Sequence, residues 1–207
     1  MTNEFDQSYA DAQIARSQSG IRRFVKSCYL NSALREISGP TVDLGCGAGQ
    51  LLQRLPEGSL GLELNPALVQ LLKVQGHNVA YYDALADDFS LGPVAANQFQ
   101  TLIASHVMEH FDDAAAALKR LIASAQRLGI TRIVCIVPGW KGYQSDATHR
   151  SFVDPAYIRA NGLHEVGTFR MSNAPRFFPV NTESFGRHFI YNECVMVWQR
   201  ADKSGVA

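Results

Sequence analysis

Residues 41–49, Thr-Val-Asp-Leu-Gly-Cys-Gly-Ala-Gly, constrain the fold more than any other stretch of this chain. An apolar run opens into three alternating glycines and then a helix-like segment, Gln50–Leu55. Glycine lacks a Cβ, so such a turn reaches positive φ and lets a ligand lie against bare backbone. A strand, a glycine-rich turn and a helix in that order make a cofactor site at the carboxyl end of a parallel strand. Spacing narrows the class. A dinucleotide fingerprint G-x-G-x-x-G beginning at Gly45 needs glycine at position 50, where this chain has Gln50.

The rest of the chain supports an α/β reading. Residues 8–38 read as mostly helix, with Ile21, Phe24, Val25 and Cys28 and then Leu30, Leu34 and Ile37 at helical spacing, ended by Gly39-Pro40. Strands are then expected at Thr41–Leu44, Ser59–Leu64, His77–Tyr82, Thr101–Val107 and Thr131–Val137. Helices are expected at Gln50–Leu55, Pro66–Gln75 and Asp112–Arg127. This alternation implies βαβ units, a parallel sheet and right-handed crossovers, hence a doubly wound α/β fold. After Pro138 the alternation breaks. Gly139–Arg150 reads as a polar loop, Asp154-Pro155 begins a short helix to Ala160, and Val166–Met171 and Phe189–Trp198 read as antiparallel edge strands. Between those strands, Ser172–His188 reads as a long irregular loop of the kind that forms lids or binding loops.

Length and charge set further bounds. At 207 residues the chain fits one domain, 1–207, with a helical cap over 1–38 and substrate-side loops over 139–188. Lys+Arg and Asp+Glu number 19 each, so no global field draws in nucleic acid or an anionic membrane. The first residues are polar, without the apolar core of a signal peptide, and no apolar run reaches the ~18 residues of a membrane span. A cytoplasmic protein is expected. The four cysteines, Cys28, Cys46, Cys135 and Cys194, form no C-x-x-C pair and read as small buried hydrophobes, so no metal is expected.

The G-x-G-x-G turn preceded by Asp43 resembles motif I of the class I S-adenosylmethionine (SAM) methyltransferases. That resemblance implies a seven-stranded, mostly parallel sheet whose last strand inserts antiparallel, with Gly45, Cys46, Gly47 and Gly49 around the cofactor. SAM carries an ammonium and a carboxylate and no phosphate, so a carboxylate at Asp43 suits it and would repel a pyrophosphate. Further segments extend the likeness. Glu63, followed by Leu64, ends the second strand eighteen positions after Gly45, where an acid can accept both ribose hydroxyls or merely partner the next helix. In Tyr81-Tyr82-Asp83-Ala84-Leu85, Asp83 stands where the family places an acceptor for the adenine amine, with Ala84 or Leu85 flanking the ring; a solvated carboxylate is the alternative. Ala104–Phe111 resembles the "vlEHf" segment after the fourth strand, which makes Ser105 and His106 candidates for cofactor contact. Glu109 and His110 would orient backbone there, or His110 would touch substrate.

The stretch Gln144–Phe152 looks like the "D-x-T-H-x-x-F" segment of some SAM methyltransferases of sugars, polysaccharides and quinone-type compounds. His149 on such a loop is placed to take a proton from a hydroxyl or amine, its tautomer fixed by Asp146 or a nearby carbonyl; equally, Asp146, Thr148 and His149 could only shape the loop. Tyr143 and Arg150 are candidates for substrate contact, and Trp140, Arg176, Phe177 and Phe178 for a pocket wall or for loop packing. The expected activity is SAM-dependent methyl transfer to O or N of a small molecule, a sugar or polysaccharide intermediate before a hydroxylated aromatic, with S-adenosylhomocysteine as product. Three alternatives remain: a nicotinamide-dependent oxidoreductase, a nucleic-acid methyltransferase and a non-catalytic SAM-binding partner. The sequence does not indicate an oligomeric state.

Overall fold

The computed structural model describes residues 29–172 and 174–201. Nine strands form one sheet: β1 (Thr41–Leu44), β2 (Leu60–Glu63), β3 (Val79–Tyr81), β4 (Thr101–Ser105), β5 (Arg132–Pro138), β6 (Glu165–Val166), β7 (Phe169–Met171), β8 (Arg176–Phe178) and β9 (Glu193–Arg200). Their order is β3-β2-β1-β4-β5-β9-β7-β6, with β8 also on β9. β1 to β5 pair in parallel, and β9 runs antiparallel to β5. The doubly wound fold is therefore as expected, with the C-terminal strand antiparallel. The strand count is nine rather than seven, because short hairpin strands finish the C-terminal side.

The strand order reverses beside β1, which has β2 on one side and β4 on the other. Crossovers leave in opposite directions there, so a crevice opens at the carboxyl ends of β1 and β4. The glycine turn follows β1 and His106 follows β4, so both motifs fall on that crevice. β1 is buried along its whole length, as a central strand covered on both faces must be.

Besides the helical residues 29–34, four helices flank the sheet in the described residues: α1 (Pro66–Val74), α2 (Ala114–Arg127), α3 (Trp140–Gln144) and α4 (Pro155–Ala160). α2 forms because alanine and leucine dominate it and Asp113 caps it, its Oδ1 accepting from the Ala116 amide at 2.9 Å. Its buried stripe, Ala114, Ala117, Leu118, Leu121, Ile122 and Ala125, lies on the largest core cluster. Gly129, at φ +78°, ends it.

Several sequence expectations are corrected. Gln50–Leu55 contains only a 3-10 turn, Leu52–Arg54, because Pro56 holds Leu55 extended at ψ 156°. Residues 189–192 precede β9 rather than belonging to it, and the expected loops are partly ordered: Gly139–Arg150 holds α3, and Ser172–His188 holds β8 and a 3-10 turn at Glu183–Arg187. Of the N-terminal helical cap, residues 29–34 are helical, and Tyr29, Leu30 and Ala33 pack on Ile103, Val134 and Ile136. Residues 8–28 of that expectation lie outside the described residues.

Candidate functional site

The glycine turn is pinned to β2 by two backbone bonds, from Gly45 N and Cys46 N to Leu62 O, at 2.8 and 3.1 Å. Gly45 stands at φ +70°, and a Cβ there would meet Val107 Cγ2 at 2.6 Å. Both conditions demand glycine. Glu63, at the end of β2, bridges the turn to the next helix: its Oε2 accepts from Gly47 N and its Oε1 from Asn65 N, each at 2.8 Å. Asn65 in turn caps α1, its Oδ1 accepting from Ala67 N at 2.9 Å. Burial raises the Glu63 pKa, and the Asn65 and Gly47 amides work against that rise. Asp83 Oδ1 accepts from Leu85 N and Ala86 N at 3.0 Å each, holding the loop after β3.

Across the crevice, β4 ends at Ser105 and His106 takes φ +57°, its amide donating to Ile136 O at 2.8 Å. A non-glycine residue held in the left-handed region stores strain, and such positions cluster at functional sites. The ring sits between two acids, Nδ1 at 3.2 Å from Glu109 Oε1 and Nε2 at 3.2 Å from Glu193 Oε2. Burial opposes the imidazolium, but Glu193 and Glu109 override it and push the pKa up to about 10. His106 is therefore a cation at neutral pH. Tyr29 meets it edge-on at 5.9 Å.

The segment after β5 is tied to the turn after β4 by backbone: Glu109 O accepts from Arg150 N at 2.7 Å and Ser151 N at 3.1 Å. This brings two histidines together, with ring centroids 4.9 Å apart. His149 Nδ1 lies 2.8 Å from Tyr143 O, and a carbonyl only accepts, so Nδ1 carries the proton and Nε2 the lone pair. His110 Nδ1 lies 3.2 Å from Thr148 Oγ1, whose own proton goes to Asp146 Oδ1 at 2.7 Å. His110 must therefore also donate from Nδ1. Burial, the main cause, lowers its pKa, so it is neutral at neutral pH. Burial works to raise the Asp146 pKa, but the Thr148 amide and hydroxyl outweigh it and hold the carboxyl below its ordinary value.

These groups line one cavity of about 1510 Å³. A pocket for one drug-sized ligand holds roughly 300–1,000 Å³, so there is room for two ligands side by side. Asp43, Gly45, Cys46, Gly47, Glu63, Leu64, Asp83, Ala84, Ser105, His106, His110, His149 and Arg150 all line it. Two candidates do not. A Cβ on Gly49 would meet Leu72 Cδ2 at 2.5 Å, so that glycine serves packing of α1. Tyr143 stands behind His149, stacked on its ring at 5.7 Å, with its hydroxyl donating to Arg150 O at 3.3 Å. Nor do Trp140, Arg176, Phe177 and Phe178 form a wall of this cavity; Phe177 and Phe178 pack on the core and Arg176 pairs with Glu36. Ile190 and Tyr191 line it instead, as do Tyr29 and Glu193, none of which was singled out from sequence. Glu193 left one signal, an acid opening the otherwise apolar run Cys194–Trp198.

The lining is acidic: Asp43, Glu63, Asp83, Asp112, Asp113, Asp146 and Glu193 face it, against Arg120, Arg150 and the His106 cation. Arg120 is itself paired with Asp88 at 2.8 Å. Such a cavity suits a cationic ligand and repels a pyrophosphate or a nucleic-acid backbone. Among the described residues no helix is long and apolar enough to cross a membrane.

Comparison with known proteins agrees with this geometry. Residues 42–131 match the family model described as a methyltransferase domain. No curated protein matches the sequence. As many as 441 solved chains match, so the shared fold alone does not single out a reaction. One is magnesium protoporphyrin IX methyltransferase from Synechocystis PCC 6803, solved with S-adenosylhomocysteine: 14% identity, 95% of this chain and 96% of that one covered, TM-score 0.64. Another is a SAM-dependent methyltransferase from Archaeoglobus fulgidus, at 14% identity, 94% and 100% coverage and TM-score 0.65. A small RNA methyltransferase aligns at 14% identity and TM-score 0.57, over 89% of this chain and 26% of that one. The matched residues carry the glycine turn, Glu63, Asp83 and the His106–His110 segment, and the chain has the Rossmann-like fold of the SAM-dependent methyltransferases it aligns with.

Proposed function

We propose that the protein transfers a methyl group from SAM to an oxygen or nitrogen of a small-molecule acceptor. The observation that carries this reading is one acidic cavity with the glycine turn at one end and His110 and His149 at the other. SAM supplies a methyl group already activated by its positive sulfonium. Around it, Gly45 and Gly47 offer bare backbone, and Asp43 faces the cationic methionine end. Glu63 keeps spare lone pairs for the ribose hydroxyls, and Asp83 presents its second oxygen to the adenine amine. Ser105, His106, Leu64 and Ala84 complete that end. The same acids disfavour a pyrophosphate, which weighs against a nicotinamide-dependent oxidoreductase.

At the other end, the chain's own work is to orient the acceptor, exclude water and manage a proton. His149 contributes an Nε2 lone pair held in place from behind by Tyr143. A hydroxyl acceptor gives its proton there, whereas a neutral amine needs no base. His110 and Arg150 share this wall and contact the acceptor. The acidity of the cavity favours neutral or cationic acceptors, such as hydroxylated rings or sugars, over phosphorylated ones or RNA. The test is incubation with methyl-labelled SAM and separate pools of hydroxylated compounds, amines, phosphorylated metabolites and total RNA. Label in a neutral or amine small-molecule pool is the expected result. Label in RNA alone overturns the acceptor class, and SAM binding without label in any pool favours a non-catalytic SAM-binding partner.

A further inference from the structure

Glu109, His110 and His149 come from two segments about forty positions apart, yet one potential ligand atom from each lies within 4.8 Å of the others. We propose that they form a site for a divalent transition cation of the zinc or cobalt type, set in the wall of the cavity that receives the acceptor.

Three independent features converge on it. The first is tautomer locking. Metal-binding histidines characteristically give their second N–H to a carbonyl or a carboxylate chain, which fixes the ring and leaves one lone pair for the metal. Here Tyr143 O takes the His149 Nδ1 proton, and the Asp146–Thr148 relay takes that of His110, so both rings keep their lone pair on Nε2. The second is an unsatisfied carboxylate. Glu109 is 1% exposed; its Oε1 is engaged by His106, and its Oε2 has no hydrogen-bond partner. A buried acceptor left so is destabilising unless something cationic reaches it. The third is spacing. His149 Nε2 lies 4.0 Å from Glu109 Oε1, a lone pair facing a carboxylate. Two donors each about 2.1 Å from one ion stand roughly 3–4 Å apart, so small side-chain shifts close the site.

The donor set selects the ion. Two imidazole nitrogens and one carboxylate oxygen suit zinc, cobalt, iron or nickel, whereas magnesium and calcium favour oxygen ligands. Three protein ligands leave coordination positions open, as in catalytic rather than structural sites. Since His110 and His149 line the cavity, those positions are available to an oxygen of the acceptor. The inference rests on the proposed methyl transfer for the identity of the acceptor and favours a hydroxyl-bearing one. With a cation bound, His149 would serve as its ligand, and the acceptor hydroxyl, made more acidic by the cation, would give its proton to water in the cavity rather than to the ring.

The test uses the full chain stripped with chelator and titrated with cobalt(II), read by its visible d–d absorption and by metal content. One cobalt per chain is expected, displaced by zinc and not by magnesium. His149→Asn and Glu109→Gln should each lose at least 100-fold in affinity. Thr148→Val, which keeps all three ligands but frees the His110 ring, should lose about 10–100-fold. No stoichiometric cobalt on the wild type, or equal binding by His149→Asn, overturns the site. SAM is titrated in parallel on the metal-free protein. Cobalt binding without SAM binding would sink the cofactor reading and leave the metal site standing, and the reverse result would sink the metal site alone.

Discussion

The glycine-turn end of the cavity is backbone locked into the parallel sheet, whereas the histidine end is side chains from segments that meet outside it. Gly45 and Cys46 hang directly on β2, and Glu63 ties the turn to the start of α1. His110 and His149 hold their positions through Glu109 O, Thr148, Asp146 and Tyr143. Because the sheet fixes one end and loop hydrogen bonds fix the other, cofactor capture and acceptor chemistry should respond separately to substitution. Loop-borne sites on a rigid scaffold also vary most readily, which suits the end that chooses the acceptor.

The largest expected effect is at the histidine end, where His149→Asn should lower turnover about 10²–10⁴-fold. Its SAM dissociation constant should stay within about twofold; a parallel loss of SAM affinity would break the separation of the two ends. At the sheet-held end the expected effect falls on cofactor affinity. Gly45→Ala adds a Cβ at φ +70° that meets Val107 Cγ2 at 2.6 Å. Backbone strain and displacement together cost at least ~1.5–3 kcal/mol, so SAM affinity should fall roughly 10–100-fold in calorimetry. Near-normal binding would show that the turn is not the cofactor cradle.

A smaller effect is expected at Tyr143→Leu. The ring stacks on His149 at 5.7 Å and on Trp140 at 5.9 Å, and its hydroxyl steadies Arg150 O. Losing an aromatic pair worth ~0.5–1.5 kcal/mol should cut kcat/KM by about 2–10-fold with SAM binding unchanged. The backbone carbonyl that orients His149 survives the change, which is why the loss stays below that of His149→Asn.

The smallest effect lies outside the cavity lining and serves as a control. Asp87 is held below its ordinary pKa by the Ser90 hydroxyl and the Gly92 amide. A carboxylate with a depressed folded pKa contributes stability above its unfolded pKa and loses it as pH falls through the folded one. Asp87→Asn should therefore lower Tm slightly at neutral pH, by under about 1 kcal/mol given its exposure, and match the wild type in acid. A difference that widens on acidification would contradict that sign, and any change in SAM affinity would mean that stability and cofactor binding are not separable here.

The two ends also differed in how far the sequence revealed them. β1, the glycine turn, Glu63 and Asp83 were legible because they lie in a strand, at its end or just past it, where apolar periodicity and a following acid or glycine mark the position. Backbone recognition leaves a local signature. Gly49 was misplaced because glycine spacing does not distinguish contact with a ligand from contact with Leu72. At the other end His149 and His110 were visible as residues, but their proximity depends on Glu109 O receiving Arg150 N and Ser151 N, a contact between distant segments. That is also why a search for metal spacing along the chain finds nothing, although Glu109, His110 and His149 converge in space. Glu193 and Tyr29 were missed for the same reason: they reach His106 from β9 and from the helical residues 29–34, which no local pattern connects to it. The aromatic residues Trp140, Phe177 and Phe178 read equally as a pocket wall or as loop packing, because aromatic content alone does not say which side of a loop faces the sheet; Trp140 and Phe177 border a separate, smaller cavity.

The most direct test of SAM-dependent chemistry in this cavity is calorimetric titration of the full chain with SAM, S-adenosylhomocysteine and NADH, run beside Asp43→Ala. The prediction is micromolar-range binding of SAM and its product, no binding of NADH, and loss of SAM binding in the variant. Binding of NADH alone, or SAM binding indifferent to Asp43, would contradict it.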